Sequence, residues 1–286
     1  MSFLIQKGKP LRKQFRAVLT ERIQKAMREL DSHGPDHPRG LHSARKDLKR
    51  SQSLLCLLRG KELGPMARDL EKDIRGMARS LSFNLDREFL AGLLRRWIRD
   101  TEDPLLAEAC QLLRTYLKRD EVGFGEIDPA LREQVLKEGE HICRKILLAD
   151  LKALRRKTLR DGAEHAYLKL QDAMAAYRNA PNNESLHQLR KAAKEHFHHR
   201  KVLRKCLDLK KARTRQVSRF EESLGQFRDC DLVLETVANH WDCGLDPDHV
   251  AALVIKAETE KEDLLAKALE LGRRFLDPDQ SEALSG

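Results

Sequence analysis

The sequence predicts an all-α fold, and three observations support this. Apolar residues recur at three- and four-residue steps along the 286-residue chain, which is the spacing of one helix face. No long stretch alternates with period two, as a half-buried strand would. Hydrophobic residues make up 41% of the chain and charged residues 35%, a balance typical of amphipathic helices with solvated outer faces. We expect roughly eight to eleven helices.

Turn signals separate these helices along the chain. A first helix is expected over Pro10–Leu30, and it ends in the Gly- and Pro-containing loop Asp31–Gly40. The later breaks are Gly60–Pro65, Glu102–Pro104, Val122–Pro129, Asn179–Ser185 and Asp242–Pro247.

Three of these breaks place an aspartate directly before a proline, at Asp103, Asp128 and Asp246. An aspartate that caps the helix, followed by proline at the first helical position, is a typical helix start. Asn182 or Asn183 can cap the helix expected from about Asn183 to Cys206.

The chain contains an internal repeat. The motif His-x-x-Arg-Lys-x-x-Lys occurs at His42–Lys49 and again at His187–Lys194, 145 residues later. A second pair of similar segments, Leu81–Asp86 and Leu224–Asp229, lies at an offset of 143. Two matches at nearly one offset predict two similar helical halves.

The repeat predicts that the two helical halves meet near residues 145–160 and dock into one unit. The basic segment Lys152–Arg160 at the seam is compatible with a continuous helix.

The strongest candidate site is a row of cations on one face of the helix that begins near Asn183. Seven residues fall within an arc of roughly 100° at 3.6 residues per turn. This set, the second-half stripe, comprises His187, Arg190, Lys191, Lys194, His198, Lys201 and Lys205. No carboxylate shares the arc, although charge runs elsewhere in the chain mix both signs. The stripe therefore predicts an anionic partner rather than a merely solvated face.

The repeated motif supplies a shorter row, the first-half motif, comprising His42, Arg45, Lys46, Lys49 and Arg50. If the halves pair face to face, both rows line one basic groove or cavity. Arg binds two oxygens with a planar fork, Lys adds point charge, and His can donate a hydrogen bond, so the residue types suit phosphate. A continuous row fits a linear polyanion better than one compact phosphate.

Other functions are less well supported by the residues. His196, His198 and His199 point in different directions on a helix, and no cysteine pair accompanies them, so we predict no metal site and no cofactor. His42 or His187 could accept a phosphoryl group, but no acid–base pair or Mg²⁺-binding carboxylate cluster accompanies them. No Walker loop, G-x-G-x-x-G or G-x-S-x-G motif is present. We therefore expect no catalytic residue and no enzyme activity.

Composition limits the partner and the compartment. The formal net charge is +10 and the isoelectric point about 9.4, which favours an anionic partner. Aromatic residues are only 5%, so stacking platforms for single-stranded nucleic acid are poorly supported.

No signal peptide or stretch of ~18 uncharged apolar residues is apparent. Six cysteines without a C-x-x-C pair indicate free thiols. We expect a cytoplasmic protein without a membrane partner.

The segment His187–Phe197 together with Leu224–Asp229 resembles the CHAD domain, the conserved histidine α-helical domain. His42–Lys49 and Leu81–Asp86 are similar to its first half. The resemblance covers roughly residues 9–275. It implies one domain over residues 9–275, in which half 1 spans about 9–148 and half 2 about 149–275, followed by a flexible tail at 276–286. Each half is then a four-helix bundle, and the two bundles are related by a pseudo-two-fold axis around a basic cavity. The resemblance also implies binding of inorganic polyphosphate and association with polyphosphate granules.

The resemblance implies that the two rows line the site: His42, Arg45, Lys46, Lys49, His187, Arg190, Lys191 and Lys194. The chain departs from the family at His198, where Tyr is common, and at Leu170 and Gln171, where Arg is common. Five other arginines are expected to compensate for this: Arg12, Arg16, Arg155, Arg156 and Arg160. The sequence thus predicts a polyphosphate-binding module; the alternatives are a nucleic-acid-binding protein and a polyphosphate-metabolising enzyme.

Overall fold

A computed structural model of the chain describes residues 4–32, 38–81, 85–119, 129–239 and 244–276. Within these ranges the secondary structure is entirely α-helical, with ten helices, so the predicted fold class is confirmed. The helices are α1 (Leu11–Ser32), α2 (Pro38–Leu55), α3 (Gly64–Ser80), α4 (Leu85–Asp100), α5 (Pro104–Arg119), α6 (Pro129–Leu148), α7 (Arg156–Asn179), α8 (Asn183–Leu203), α9 (Lys211–Asn239) and α10 (Pro247–Leu276).

The helix starts follow the predicted capping residues. Helix α8 begins with Asn182 as its N-cap: the Asn182 side chain accepts a hydrogen bond from the Ser185 amide at 2.9 Å, and the Ser185 hydroxyl accepts one from the Asn182 amide at 3.1 Å. The Asp103 carboxylate accepts from the Leu105 amide, and the Asp246 carboxylate from the His249 amide. Asp128 lies outside the described residues. These caps orient the first turns of α5, α8 and α10.

The seam between α6 and α7 is not a continuous helix, and this corrects the expectation for Lys152–Arg160. The chain leaves the helical conformation after Leu148 and resumes it at Arg156. The Arg16 guanidinium donates to the carbonyls of Ile146 at 3.2 Å and Ala149 at 2.9 Å, so it satisfies the end of α6. Burial of Leu151 and Leu154 in the core holds the non-helical segment in place.

The chain divides into two compact units whose borders do not coincide with the predicted halves. The first unit comprises Met1–Ser82, Ile127–Glu221 and Leu271–Gly286. It holds α1, α2, α3, α6, α7 and α8, with the start of α9 and the end of α10. Its core includes fully buried Phe15, Ile23 and Leu48.

The second unit comprises Phe83–Glu126 and Glu222–Glu270, and it holds α4, α5 and the greater part of α9 and α10. Trp97 lies in its core at 1% exposure, and its indole N–H donates to the Glu260 carboxylate at 2.7 Å. Lys256 and Arg96 form ion pairs with the same carboxylate, so the charge of this half-buried acid is compensated.

The helix order repeats in part at the offset of the sequence motifs. Helices α7 and α8 begin 145 residues after α1 and α2, respectively. The second pair of similar segments differs in secondary structure. Helix α4 begins at Leu85, within the first segment, whereas the second segment, 224–229, lies inside α9. The pseudo-two-fold relation of two bundles stays a prediction, and most of the expected tail, 277–286, lies outside the described residues.

The described cysteines agree with the expectation of free thiols. Among the described cysteines, all five are free thiols, and Cys110 and Cys230 are fully buried. Burial raises the pKa of each of these two thiols to about 12.

Among the described helices, none combines the length and the apolar character that a membrane-spanning segment needs.

The close approach of α7 to the chain after α2 gives a stability prediction. A Cβ atom at Gly162 would meet the backbone of Leu57, at 2.8 Å from Cα and 2.9 Å from the carbonyl carbon. Because backbone cannot move aside as a flexible side chain can, we expect Gly162→Ala to lower the free energy of unfolding by about 1–3 kcal/mol in urea denaturation.

The matched control is Gly76→Ala, since the added Cβ atom in α3 meets nothing within 4 Å. We expect it to raise stability by up to about 1 kcal/mol through helix propensity alone. Equal changes in both variants would show that α7 and the Leu57 backbone are not in close contact.

Candidate anion-binding site

Helix α8 separates its polar and apolar residues as the sequence predicts. Leu189, Ala192 and Ala193 are buried at no more than 1% exposure. On the opposite face, His187, Lys191 and Lys201 are exposed and Arg190, Lys194 and His198 are half-buried. The apolar face packs within the first unit, and the second-half stripe is therefore held in a fixed orientation on a rigid helix.

Helix α8 is joined to α2 by a buried hydrogen bond. His199 is completely buried, and its Nε2 lies 2.6 Å from the carbonyl oxygen of Ser53. Burial lowers the pKa of His199 to about 4, so the ring is neutral at neutral pH. Since a carbonyl only accepts, the neutral ring carries its proton on Nε2 and donates it to Ser53. This bond brings the two basic rows into one part of the molecule.

A cleft of about 560 Å³ opens beside the two helices, within the first unit. Six cationic residues or histidines of the two predicted rows line it: Lys49, His187, Arg190, Lys191, Lys194 and His198. Gln52, Ser53 and Cys56 of α2 and the turn after it complete the adjacent wall. The structure thus assembles the first five members of the second-half stripe and Lys49 of the first-half motif around one space.

The charges of the two rows act on one another. Burial lowers the pKa of Lys194, and the positive charges of Arg190, Lys46 and Arg50 lower it further, against the opposite effect of Glu221. Burial also lowers the pKa of His198 well below its ordinary value, with Lys194 and Arg50 acting in the same direction. An anion in the cleft would relieve this repulsion.

Part of the positive charge is balanced by a carboxylate that the sequence reasoning missed. Asp47, in the middle of the first-half motif, is 1% exposed and accepts hydrogen bonds from Arg22 at 2.8 Å and Arg50 at 3.1 Å. Lys25 lies 3.0 Å from its other oxygen. Arg50 is therefore an internally paired residue as well as a member of the row. In the sequence, the one sign of this role was that helical spacing places Asp47 on the face of α2 opposite Lys46 and Lys49.

A second carboxylate lies in the cleft wall itself. Glu195 is bound by Arg59 at 3.1 Å and by Lys169 at 2.9 Å, and these cations also line the cleft. The charges of Lys169 and Arg59 lower the pKa of Glu195, although burial acts in the opposite direction. The sequence could not reveal Arg59 and Lys169 as site residues, because neither belongs to the repeated motif and both reach the cleft only through tertiary packing.

The remaining members of the two rows lie at the edges of the site or outside it. Lys46 is exposed on α2, and Lys201 is exposed on α8 near Phe197, with its ammonium 5.6 Å from that ring. Arg45 is half-buried and does not line the cleft, and Lys205 is exposed beyond the end of α8. The side chain of His42 lies outside the described part of the chain.

The five arginines that are expected to compensate do not line the cleft, and their part in binding stays a prediction. Four of them donate instead to backbone carbonyls: Arg12 to Lys152, Arg16 to Ile146 and Ala149, Arg155 to Lys152 and Leu154, and Arg156 to Cys206. Such carbonyls at helix ends and turns need donors, and long guanidinium side chains supply them. Arg160 is exposed on the first turns of α7.

The three neighbouring histidines of α8 differ in their surroundings. Within the described ranges, no group of three His, Cys, Asp or Glu side chains is placed to hold a metal ion. His196 and His199 are buried in the packed faces of α8, and only His198 of the three neighbouring histidines lines the cleft. The cleft offers guanidinium, ammonium and imidazole donors to oxygen atoms of an anion.

The fold is similar to two solved structures. The crystal structure of the CHAD domain from the plant Ricinus communis matches with a TM-score of 0.66 at 16% identity, covering 97% of this chain and 95% of that chain. PptA from Streptomyces chartreusis matches with a TM-score of 0.58 at 14% identity, covering 93% of this chain and all of the other. At these identities the likeness concerns the fold. No curated protein matches the sequence significantly.

The sequence itself matches the family model of the CHAD domain. The matches cover residues 11–238 and 162–276, and therefore nearly the whole described chain. They include both His-x-x-Arg-Lys-x-x-Lys motifs, of which Lys49, His187, Arg190, Lys191 and Lys194 line the cleft. The chain therefore belongs to the CHAD domain family.

Proposed function

We propose that this protein binds inorganic polyphosphate in the cleft beside α2 and α8, and that binding targets it to polyphosphate granules in the cytoplasm. One observation carries the proposal: six members of the two predicted rows line a single cleft, where their mutual repulsion calls for an anion. The CHAD domain family is associated with polyphosphate, which supports the choice of this anion.

The shape of the charged surface supports a polymer as the ligand. The stripe from His187 to Lys201 follows α8 for about 20 Å at 1.5 Å per residue. A single phosphate would contact only two or three of these groups and leave the others repelling one another. A chain with a charge on every unit neutralises the whole row, and release of its counterions adds to the affinity. We propose a binding module without catalytic activity.

The first test is calorimetric titration with long-chain polyphosphate at two salt concentrations, with DNA of equal total charge as competitor. We expect saturable binding whose log affinity falls with log salt by about 0.7 for each phosphate neutralised. Lys194→Glu and Arg190→Glu should each weaken binding by about tenfold or more, because each loses charge-assisted hydrogen bonds and adds repulsion.

Lys137→Glu is the matched control, since Lys137 is 72% exposed on α6 and pairs only with exposed Glu133. Lys256→Glu would not serve as a control, because it would place a second carboxylate beside Glu260 and disturb the second unit. Equal losses in the three variants, or equal binding of DNA, would reduce the site to a nonspecific basic surface. Release of orthophosphate from the polymer with Mg²⁺ would contradict a binding role without catalysis.

The pKa of His198 gives a pH dependence. In the free protein this histidine is neutral at neutral pH, because burial and nearby cations lower its pKa well below the ordinary value. A bound polyanion raises the pKa again, so binding takes up a proton and becomes tighter as the pH falls. We expect higher affinity at pH 6 than at pH 8, and a smaller pH effect in His198→Gln. The same pH effect in both proteins would assign the titration to another group.

Glu195 gives a prediction of opposite sign. Its carboxylate holds Arg59 and Lys169, two cations that would otherwise be available to the ligand. We expect Glu195→Gln to raise polyphosphate affinity by about threefold to tenfold and to steepen the salt dependence, because a repulsive charge is removed and two cations are released. Glu140→Gln is the control for the change in net charge, since the Glu140 side chain is exposed on α6. An unchanged or lower affinity in Glu195→Gln would show that the Arg59–Glu195–Lys169 group is only structural.

A further inference from the structure

The buried face of α8 carries a second cationic group, opposite the second-half stripe. His196 and Arg200 lie one helical turn apart, and they are 3% and 6% exposed. Tyr167 of α7 packs against the His196 ring, with the two ring centroids 5.4 Å apart. None of these residues lines the cleft of the proposed polyphosphate site.

Arg200 lacks an internal counterion. In the described part of the chain it makes no ion pair and no hydrogen bond, and its Nε is buried without an acceptor. The charges that act on it come from Arg213, which is also positive, and from the Tyr167 phenol. Burial and Arg213 lower the pKa of Arg200 to about 10, so the guanidinium remains charged at neutral pH.

Arg22 is a buried arginine of the same chain whose partner carboxylate is present, and it can be compared with Arg200. Arg22 is 7% exposed, and the pKa of its guanidinium is also lowered to about 10, but it donates to Asp47 at 2.8 Å. Leaving a buried charge unpaired costs several kcal/mol, and such a charge ordinarily acquires a partner. Arg200 has the burial of Arg22 without the carboxylate, which indicates a position for an external anion.

The neighbouring groups favour a tetrahedral oxyanion. The Nδ1 of His196 is buried without a hydrogen-bond partner, and its ring lies beside the Tyr167 phenol. The Arg213 guanidinium donates from one nitrogen to the Phe275 carbonyl at 2.6 Å, which anchors it near the end of α10. Guanidinium, imidazole and phenol groups from α7 and α8 can donate to several oxygens from different directions, whereas a halide would use fewer of them.

We propose that Arg200 and His196 form a second anion-binding site, which takes a single phosphate group, either free orthophosphate or the terminal group of a phosphate chain. The site is separate from the cleft and does not depend on the proposed polyphosphate function. The guanidinium binds two phosphate oxygens, and His196 binds a third through the ring nitrogen that has no internal partner.

The test uses the full-length chain with the cleft weakened by Lys191→Met and Lys194→Met. Orthophosphate and tripolyphosphate are titrated separately by calorimetry, and thermal unfolding is followed with phosphate or with chloride at equal ionic strength. We expect phosphate to bind and to raise the unfolding temperature, since a ligand of the native state stabilises it. Adding Arg200→Met should weaken binding by about tenfold to a hundredfold and remove the temperature rise.

The unfolding temperature without phosphate should stay equal or increase in Arg200→Met, because an unpaired buried charge is replaced by an apolar side chain of similar length. Arg200-dependent binding of orthophosphate identifies the free ion as ligand, and Arg200-dependent binding of tripolyphosphate alone identifies a chain end. Equal phosphate responses with and without Arg200→Met overturn the proposal.

Two measurements keep the test decisive if Arg200→Met does not fold. Arg200→Lys keeps the charge and removes the Nε donor, so it should bind phosphate more weakly. In the unsubstituted chain, the Arg200 Nε–H resonance, assigned by its loss in Arg200→Lys, should shift with orthophosphate. The absence of any shift at saturating phosphate overturns the proposal whatever the cleft binds.

Discussion

The buried hydrogen bond from His199 to the Ser53 carbonyl is the constraint on which the candidate site depends. Both groups belong to helices that carry a basic row, and the bond spans 146 residues of sequence. A buried carbonyl without a donor would destabilise the fold, so the neutral ring has a structural reason to remain in place. Its consequence is that Arg50 of α2 and Lys194 and His198 of α8 share one electrostatic environment.

The first unit manages the resulting positive charge in three ways. At Asp47 one buried carboxylate pairs with Arg22, Lys25 and Arg50 and offsets part of their charge, which stabilises α1 against α2. At Glu195 a less deeply buried carboxylate holds Arg59 and Lys169 at the edge of the cleft, where a ligand can compete for them. At Lys194 and His198, burial and neighbouring positive charges lower the pKa of each group, so an external anion gains most there.

Helical spacing explains why the sequence was informative about α8 and less so about the rest of the site. His187, Lys191, Lys194 and His198 share a face by their spacing alone, and all four line the cleft. The arginines Arg12, Arg16, Arg155 and Arg156 are as basic as the cleft residues, yet they donate to backbone carbonyls at the end of α6, before α7 and after α8. Charge and residue type do not distinguish these roles, since both require a donor aimed at oxygen.

Local sequence is enough to predict the helical class, the helix starts at Asn182, Asp103 and Asp246, and the stripe on α8, because each follows from contacts between residues fewer than five apart along the backbone. Which cations are left for a ligand depends instead on tertiary packing. Asp47 pairs with α1, Glu195 with Arg59 and Lys169, and Arg200 with no described carboxylate, and these outcomes depend on helices distant in sequence. Burial sets the strength of each such pairing, and burial is a property of the packed chain rather than of any segment.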